Sequence, residues 1–523
     1  MLSKLSASSL LAVLAAAFFG RLSTAIAQLV AAFYLTPTDF GIYATATGVI
    51  IVTTIFRGGG TGNHVQTMKT SEFANDGGRF FRYAMAASGL GLLITAMCAW
   101  PTARWYAQHN GYSEKTLVWI IGILALNYVL FNSAWYARSR MISEMRLKEI
   151  SALDTLLGAV KLASTWALAA LGTGPIALAA PVGICSLFEN GWTWSRSGIR
   201  LKELRVQPGW LGRTFVELKL PLVMAVLTTL NNQTDSLVGS VFVPVAVLGS
   251  YFFASQLAVQ PTTIVGATLK SVFTAAASQI RGDSGRESFA LRVLFNGAMV
   301  FIPIVSMIIP AVFVPLEMAC WGGKWADSQW PLFLLSATMV YPTALLLVSA
   351  PVAAMRDWNL AIRIDLARAL PKIVAAALAG VAIMYWNLGA SSSGIVLAAS
   401  VGGLSGLISS LKLIRIMTRA GQSRSTILYE LYSTPMVAVL SAIAAIGLAQ
   451  SIADPLKSLL EPRPAAFIEA IVAGTIYTAL SMVLVRFGYT VTLVRVIASL
   501  PQTIRPVAYR VFLLKPSGRA FTQ

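Results

Sequence analysis

Residues 221–279 read PLVMAVLTTLNNQTDSLVGSVFVPVAVLGSYFFASQLAVQPTTIVGATLKSVFTAAASQ. This stretch contains two long apolar segments joined by a short link without a charged residue. The first segment carries Asn231, Asn232 and Asp235, and the second carries Lys270. A charged side chain near the middle of an apolar membrane helix costs about 2.5–3.5 kcal/mol on insertion scales. Asp235 is therefore expected to face a partner or a water-filled cavity rather than lipid.

The composition of the whole chain indicates the same class of protein. It has 523 residues, of which 56% are hydrophobic and 12% are charged, and its mean hydropathy is +0.70. Repeated runs of 18 or more nearly uncharged residues are long enough to cross a hydrocarbon core about 30 Å thick. The predicted fold class is all-α, a polytopic helical membrane protein.

The cysteines and histidines suggest no metal site or other cofactor. Cys98, Cys185 and Cys320 are far apart in sequence, and with His64 and His109 they form no metal-ligand spacing. Free thiols in apolar surroundings are the expected state. A disulfide between Cys98 and Cys320 is the alternative.

Fourteen membrane segments are predicted from the apolar runs. The first begins after Lys4 and resembles a signal peptide, but its apolar pattern resumes after Arg21 and continues to Tyr34, so it is interpreted as a retained helix. Prolines inside the segments, such as Pro342, are expected to bend helices. The segments cover 8–35, 40–62, 79–105, 114–137, 148–172, 175–196, 213–241, 245–278, 288–315, 328–354, 359–386, 391–418, 430–452 and 464–486.

Basic residues set the predicted orientation. If the N-terminus is cytoplasmic, most of the 40 Lys and Arg residues lie on the cytoplasmic side. This asymmetry is the positive-inside pattern, and it places both termini in the cytoplasm. It also explains the net charge of +19 without nucleic acid as a partner. The outer loops carry only Arg104, Lys115, Lys324, Lys457 and Arg463.

Two similar motifs indicate an internal repeat. Phe40-Gly41-Ile42-Tyr43 follows the first segment, and Leu248-Gly249-Ser250-Tyr251 follows the seventh, each a few residues after a proline. A spacing of six segments makes the two halves parallel repeats, with a site expected at their interface. The predicted domains are two six-helix halves, residues 1–205 and 206–425, followed by two additional helices, 426–490, and a basic cytoplasmic tail, 491–523. The tail is expected to rest on the anionic inner leaflet, and a solvated tail is the alternative.

Four stretches resemble the polysaccharide or oligosaccharide flippase family (Wzx/PST type) of the multidrug/oligosaccharidyl-lipid/polysaccharide exporter superfamily. PTDFGIYATATGVIIVTTI (37–55), after the first helix, resembles the start of the family's sequences. NNQTDSLVGSVFVPVAVLGSYFFASQLAVQP (231–261) is similar to the family's seventh and eighth helices. ARSRMISEMRLKEISALD (137–154) and CWGGKWADSQWPLFLLS (320–336) are also family-like. FRGGGTG (56–62) departs from the family, which more often has an acidic-Gly pair there. The resemblance implies a flippase of the bacterial inner membrane that moves a lipid-linked oligosaccharide, such as an O-antigen or exopolysaccharide repeat unit, with a polysaccharide polymerase or export machinery as a further partner.

Polar stripes on several helices favour a cavity between them. Arg21, Thr24 and Gln28 recur at i, i+3 and i+7 on one helix face, and Asp154, Gly158 and Lys161 form a similar stripe on the fifth segment. Such stripes leave donors unsatisfied unless they meet in a cavity or a buried network. Each charged residue also has an alternative to lining a cavity. Arg21 and Lys161 could each form a structural ion pair, and Asp235 could pair with either of them. Lys270 could instead extend its side chain to the membrane surface. The predicted substrate cavity comprises Arg21, Gln28, Lys161, Asn231, Asn232, Asp235 and Lys270.

Other functions are weighed against this one. No phosphate-binding GxxxxGK[ST] loop occurs in the sequence, so the chain is not expected to hydrolyse ATP. The prediction is a transporter and not an enzyme. An ion-coupled drug exporter of the same superfamily is the alternative transporter, but the basic residues within the membrane segments argue against it. A membrane polymerase or ligase usually needs a large outer loop, whereas the predicted outer loops are short.

Overall fold

A computed structural model describes residues 7–54, 56, 61, 65, 70–110, 113–144, 146–199, 204, 210–279, 284–354, 358–457 and 460–499. Side chains are described for these residues except 7–18, 263–284, 487–499 and a few others, mostly near helix ends. The described chain is almost entirely α-helical, and no strand occurs in it. This confirms the predicted fold class.

The helices coincide with the predicted segments. Within the described residues, two predicted segments are interrupted, 40–62 at Ile50 and 328–354 at Met339. The first seven helices are α1 (Ala7–Tyr34), α2 (Pro37–Val49), α3 (Ile51–Thr54), α4 (Thr70–Asn110), α5 (Glu114–Ser143), α6 (Leu147–Ala170) and α7 (Ile176–Ser197). They are followed by α8 (Trp210–Phe242), α9 (Val245–Gln279), α10 (Ser284–Trp321), a short 3₁₀ helix (Ala326–Ser328), α11 (Gln329–Thr338), α12 (Val340–Ala354), α13 (Trp358–Tyr385), α14 (Ala390–Arg419), α15 (Arg424–Lys457) and α16 (Pro462–Ser499).

Eight of the described helices are long and apolar enough to cross a membrane, and a bent pair formed by residues 326–338 and 340–349 brings the number to nine. The pair bends by 42° just before Pro342, which lacks the N–H that would continue the helix. Helices α1, α6 and α7 are not among the eight. These three helices carry polar residues of the site described below. The count of fourteen membrane helices stays a prediction.

The chain divides into two compact units. One comprises residues 1–260 and 358–405, and the other comprises residues 261–357 and 406–523. Both units therefore combine segments that are distant in sequence. The division into two six-helix halves stays a prediction.

In the first unit, the repeat motifs lie against each other. Helix α2 begins with a capping box, in which the Thr36 side chain accepts a hydrogen bond from the Asp39 N–H and the Asp39 side chain accepts one from the Thr36 N–H. A Cβ added at Gly41 would lie 2.8 Å from the carbonyl carbon of Val245, and one added at Gly249 would lie 2.7 Å from that of Pro37. Only glycine permits such an approach of two helix backbones. The contact is reciprocal, with residues 37 and 41 equivalent to 245 and 249 in the predicted repeat.

In the second unit, small side chains allow α10, α15 and α16 to pack closely, as is typical of membrane helices. The buried cluster between them contains Met307, Ala311, Ala438, Ala442, Ala445 and Tyr477. The Tyr477 hydroxyl donates a hydrogen bond to the Ile304 carbonyl at 2.6 Å. The polar end of this large side chain is thereby satisfied inside an apolar interface.

Candidate functional site

Two glycines bring α1 and α6 together in the first unit. A Cβ added at Gly158 would lie 3.1 Å from the Cα of Gly20, and one added at Gly20 would lie 3.1 Å from the carbonyl oxygen of Asp154. The two backbones therefore touch without side chains between them. Because Arg21 and Lys161 lie near this crossing, their long side chains reach the same space.

That space is a pocket of about 330 Å³, within the range of small-molecule sites. Four helices, α1, α5, α6 and α7, contribute to it. Arg21 and Lys161 are both half-buried. Among the described residues, neither side chain makes a hydrogen bond or an ion pair with a protein group, although Asp154 attracts Arg21 electrostatically. The lining residues are Gly20, Arg21, Thr24, Arg138, Asp154, Leu157, Gly158, Lys161 and Cys185.

The third cation of the pocket, Arg138, is paired with protein carboxylates. Its guanidinium donates to Asp154 on α6 at 2.7 Å and to Glu189 on α7 at 3.1 Å. Charge-assisted bonds of this kind satisfy a desolvated arginine. The positive charge left for a ligand therefore belongs to Arg21 and Lys161.

The two cations that lack a carboxylate partner lie far from the helix ends. At 1.5 Å per residue, Arg21 is about 21 Å from the start of α1, and Lys161 is about 21 Å from the start of α6. Arg138 and Asp154 lie closer to the ends of α5 and α6 at which the 144–146 connection joins them. The four polar residues Arg138, Asp154, Arg21 and Lys161 thus extend from one end of these helices to their middle.

Gln28 lies outside this pocket, in a cluster of three glutamines. Its Nε2 donates to Oε1 of Gln256 at 3.1 Å, and its Oε1 accepts from Nε2 of Gln260 at 3.0 Å. The cluster connects α1 with α9.

Asp235 belongs to a third polar group. Its Oδ1 lies 3.2 Å from Nζ of Lys372 on α13 but accepts no hydrogen bond from a described group, so this contact is an ion pair. The Tyr251 hydroxyl donates to Oδ2 at 3.1 Å, and the Lys372 ammonium donates to the Asn231 carbonyl at 2.7 Å. The partner of Asp235 is thus Lys372, whereas the sequence offered Arg21 or Lys161. Asn232 is exposed.

Lys270 lies in α9, but its side chain falls outside the described residues. The glycine run that departs from the family pattern, 57–60 and 62, also lies outside them. All three cysteines are free thiols, and Cys98 is exposed, so the structure contains no bond between Cys98 and Cys320.

The sequence analysis brought Arg21 and Lys161 together but did not identify their neighbours' partners in these clusters: Arg138, Glu189, Tyr251, Gln256, Gln260 and Lys372. Arg138 was missed because the fourth predicted segment ends at 137, whereas α5 continues to Ser143. Lys372 was missed because it was counted with the cytoplasmic charges, although it lies well inside α13 and is buried. Its depth within an apolar segment is a signal that could have identified it.

Comparisons with solved structures define the class. The chain matches "Lipid II flippase MurJ, inward closed conformation" with a TM-score of 0.65 at 12% identity, covering 90% of this chain and 98% of that one. A multidrug resistance MATE family transporter of the MOP superfamily in an inward-facing conformation matches with a TM-score of 0.49 at 14% identity, covering 78% and 94%. A MOP superfamily transporter from Pyrococcus furiosus matches with a TM-score of 0.46 at 13% identity, covering 79% and 96%. The protein is thus a multi-spanning helical membrane protein with the fold of MurJ.

The family follows from the sequence itself. Residues 9–329, more than half of the chain, match the model of the polysaccharide biosynthesis protein family, and the chain belongs to that family. This confirms the resemblance that the sequence motifs carry. No protein of curated function matches the sequence.

Proposed function

We propose that this protein is a flippase that moves a lipid-linked oligosaccharide, the repeat unit of a surface polysaccharide, across the bacterial inner membrane. The observation that carries the proposal is the pair Arg21 and Lys161, two cations in one pocket without a hydrogen-bonded protein partner among the described residues. A half-buried charge without a partner is costly. An anionic ligand that enters the pocket would remove this cost.

The ligand chemistry follows from the charge. A diphosphate that joins a lipid to a sugar carries two negative charges, which match the two cations. Lys161 would bind it as a point charge and Arg21 through two parallel N–H donors. Arg138 would stay paired with Asp154 and Glu189 and would form part of the pocket wall.

The predicted orientation gives the direction of movement. With both termini in the cytoplasm, Arg138 and Asp154 lie toward the cytoplasmic side, and Arg21 and Lys161 lie near the middle of the membrane. A headgroup would enter from the inner leaflet and reach the two cations while its lipid tail stays in the bilayer. Alternating access between inward-open and outward-open states would then release it outside. A polysaccharide polymerase or export machinery would use the product.

The other predicted site residues have supporting roles in this proposal. The Asp235–Lys372 pair would hold α8 and α13 together, because a buried pair that loses one partner is strongly destabilising. Asn231 contributes a backbone carbonyl to this pair. Lys270 and Asn232 remain candidates for substrate contact.

The test is export by Arg21→Ala and Lys161→Ala variants in cells that lack the native gene. The matched control is Lys219→Ala, which removes an exposed cation from α8. At equal expression, the two pocket variants should lose surface polysaccharide and accumulate lipid-linked repeat units on the inner leaflet, whereas the control should restore export. Normal export by both pocket variants would refute the proposal. A drug-efflux defect without a polysaccharide defect would point to the drug exporter instead.

A further inference from the structure

Three glutamines on α1 and α9 form a polar cluster in the first unit. Gln28 is the central member, since it donates to Gln256 at 3.1 Å and accepts from Gln260 at 3.0 Å. All three side chains are half-buried. The cluster carries no charge, so its chemistry differs from that of the cationic pocket.

The cluster lies in line with the cationic pocket. Arg21, Thr24 and Gln28 occupy one face of α1, and Arg21 and Thr24 both line the pocket. The rise from Arg21 to Gln28 is about 10.5 Å. A diphosphate held at Arg21 with its sugars extended along α1 would therefore bring the first sugars to Gln28.

Gln28 and Gln256 have hydrogen-bonding capacity left for such a ligand. A glutamine offers two N–H donors and two acceptor lone pairs. Nε2 of Gln256 donates to no protein group within the described part of the chain, and Gln28 uses one donor and one acceptor. Neutral groups that both donate and accept suit sugar hydroxyls, which do the same, whereas the adjacent cations suit phosphate.

We propose that Gln28, Gln256 and Gln260 form a sugar-binding subsite that recognises the hydroxyl groups of the sugars nearest the diphosphate. The inference rests on the proposed function, since a diphosphate bound at Arg21 determines which sugars reach the glutamines. In the absence of a ligand the amides bond to one another. A bound sugar exchanges these amide–amide bonds for amide–hydroxyl bonds.

The test compares two ligands on the purified full-length protein in lipid nanodiscs. One is a polyprenyl diphosphate without sugar, and the other is the lipid-linked oligosaccharide extracted from cells that lack this protein. Gln28→Leu and Gln256→Leu should each weaken binding of the oligosaccharide lipid by roughly two- to tenfold, the effect of one or a few hydrogen bonds, and leave binding of the sugarless lipid unchanged. Gln108→Leu, which removes an exposed amide from α4, should change neither.

The outcomes separate this inference from the proposed function. Unchanged binding of both ligands by the glutamine variants overturns the sugar subsite. So does equal weakening of both ligands, because the cluster then only holds α1 against α9. Arg21→Gln and Lys161→Gln should weaken both ligands. If they weaken neither while the glutamine variants still discriminate, the diphosphate pocket is wrong and the sugar subsite stands.

Discussion

Gly249→Ala should separate α2 from α9 at the contact between the repeat motifs. The new methyl group would lie 2.7 Å from the carbonyl carbon of Pro37 and 2.8 Å from the backbone nitrogen of Gly41. Both neighbours are backbone atoms of a capped helix, so no side chain can rotate away to make room. The helices themselves would have to move.

The size of the effect follows from these distances. An ordinary contact between carbon atoms is about 3.5–4.0 Å, so α2 and α9 would have to separate by at least about 1 Å, and by more to clear the Pro37 carbonyl oxygen, which lies closer still. Two edge-to-face ring pairs cross this interface, Phe40 with Phe253 at 5.6 Å and Tyr43 with Phe252 at 5.8 Å. Overpacking costs about 1–3 kcal/mol of stability. Each ring pair that weakens would lose up to about 1 kcal/mol of stabilisation. We expect a loss of about 3 kcal/mol in stability.

The assay is thermal unfolding of purified variants in one detergent. Gly122→Ala on α5 is the matched control, since no atom lies within 4 Å of its added Cβ. Alanine favours an open helical position by about 0.5–1 kcal/mol over glycine, so this control should be neutral or slightly more stable. Gly249→Ala should unfold at a clearly lower temperature.

Gly41→Ala provides a second arm of the same experiment. It opens the same interface from the other side, since its Cβ would meet Val245. Once one alanine has separated the helices, the second has more room, so the double variant should lose less stability than the sum of the two single variants. Equal stability of Gly249→Ala and the Gly122→Ala control would refute the reasoning, and full additivity would show that the two glycines do not share one contact.

Two further predictions concern the polar clusters. Lys372→Met should destabilise the protein by about 3–5 kcal/mol because it leaves the Asp235 carboxylate buried without its ion-pair partner. Adding Asp235→Asn should recover part of that loss in the same unfolding assay. No recovery would show that the two residues do not act as a pair. With Cys98 and Cys320 replaced by alanine, Cys185 in the pocket should react faster with an anionic thiosulfonate reagent than with a cationic one. Lys161→Gln should reduce that preference, and an equal preference in both proteins would contradict a positively charged pocket.

The helices could be predicted from the sequence because apolar runs bounded by charged residues report membrane helices directly. The two similar motifs could also be recognised in the sequence, although the contact between them could not be predicted. The short motifs around Gly41 and Gly249 show that glycine recurs, and only the structure shows that the two glycines press against each other's helix. The breaks after Ile50 and Met339 shift the boundaries of segments that composition alone leaves continuous.

The site could be predicted only where one helix carries the pattern. The stripes on α1 and α6 placed Arg21 and Lys161 in one cavity because each stripe repeats at helical spacing. The ion pair of Asp235 with Lys372 joins residues far apart in sequence, and no spacing rule connects them. Which acidic and basic side chains form ion pairs depends on how the helices pack in three dimensions.

The first unit treats its cations in two different ways, and this contrast supports the proposed pocket. Lys372 is buried against Asp235, Arg368 is buried against Asp365 at 3.2 Å, and Arg138 is held between two carboxylates. Each obeys the rule that a desolvated charge is paired. Arg21 and Lys161 belong to the same unit and are half-buried, yet no described carboxylate lies within ion-pair distance of either. Two cations left together in a pocket, in a unit that pairs its other buried cations, are what the proposed anion-binding site requires.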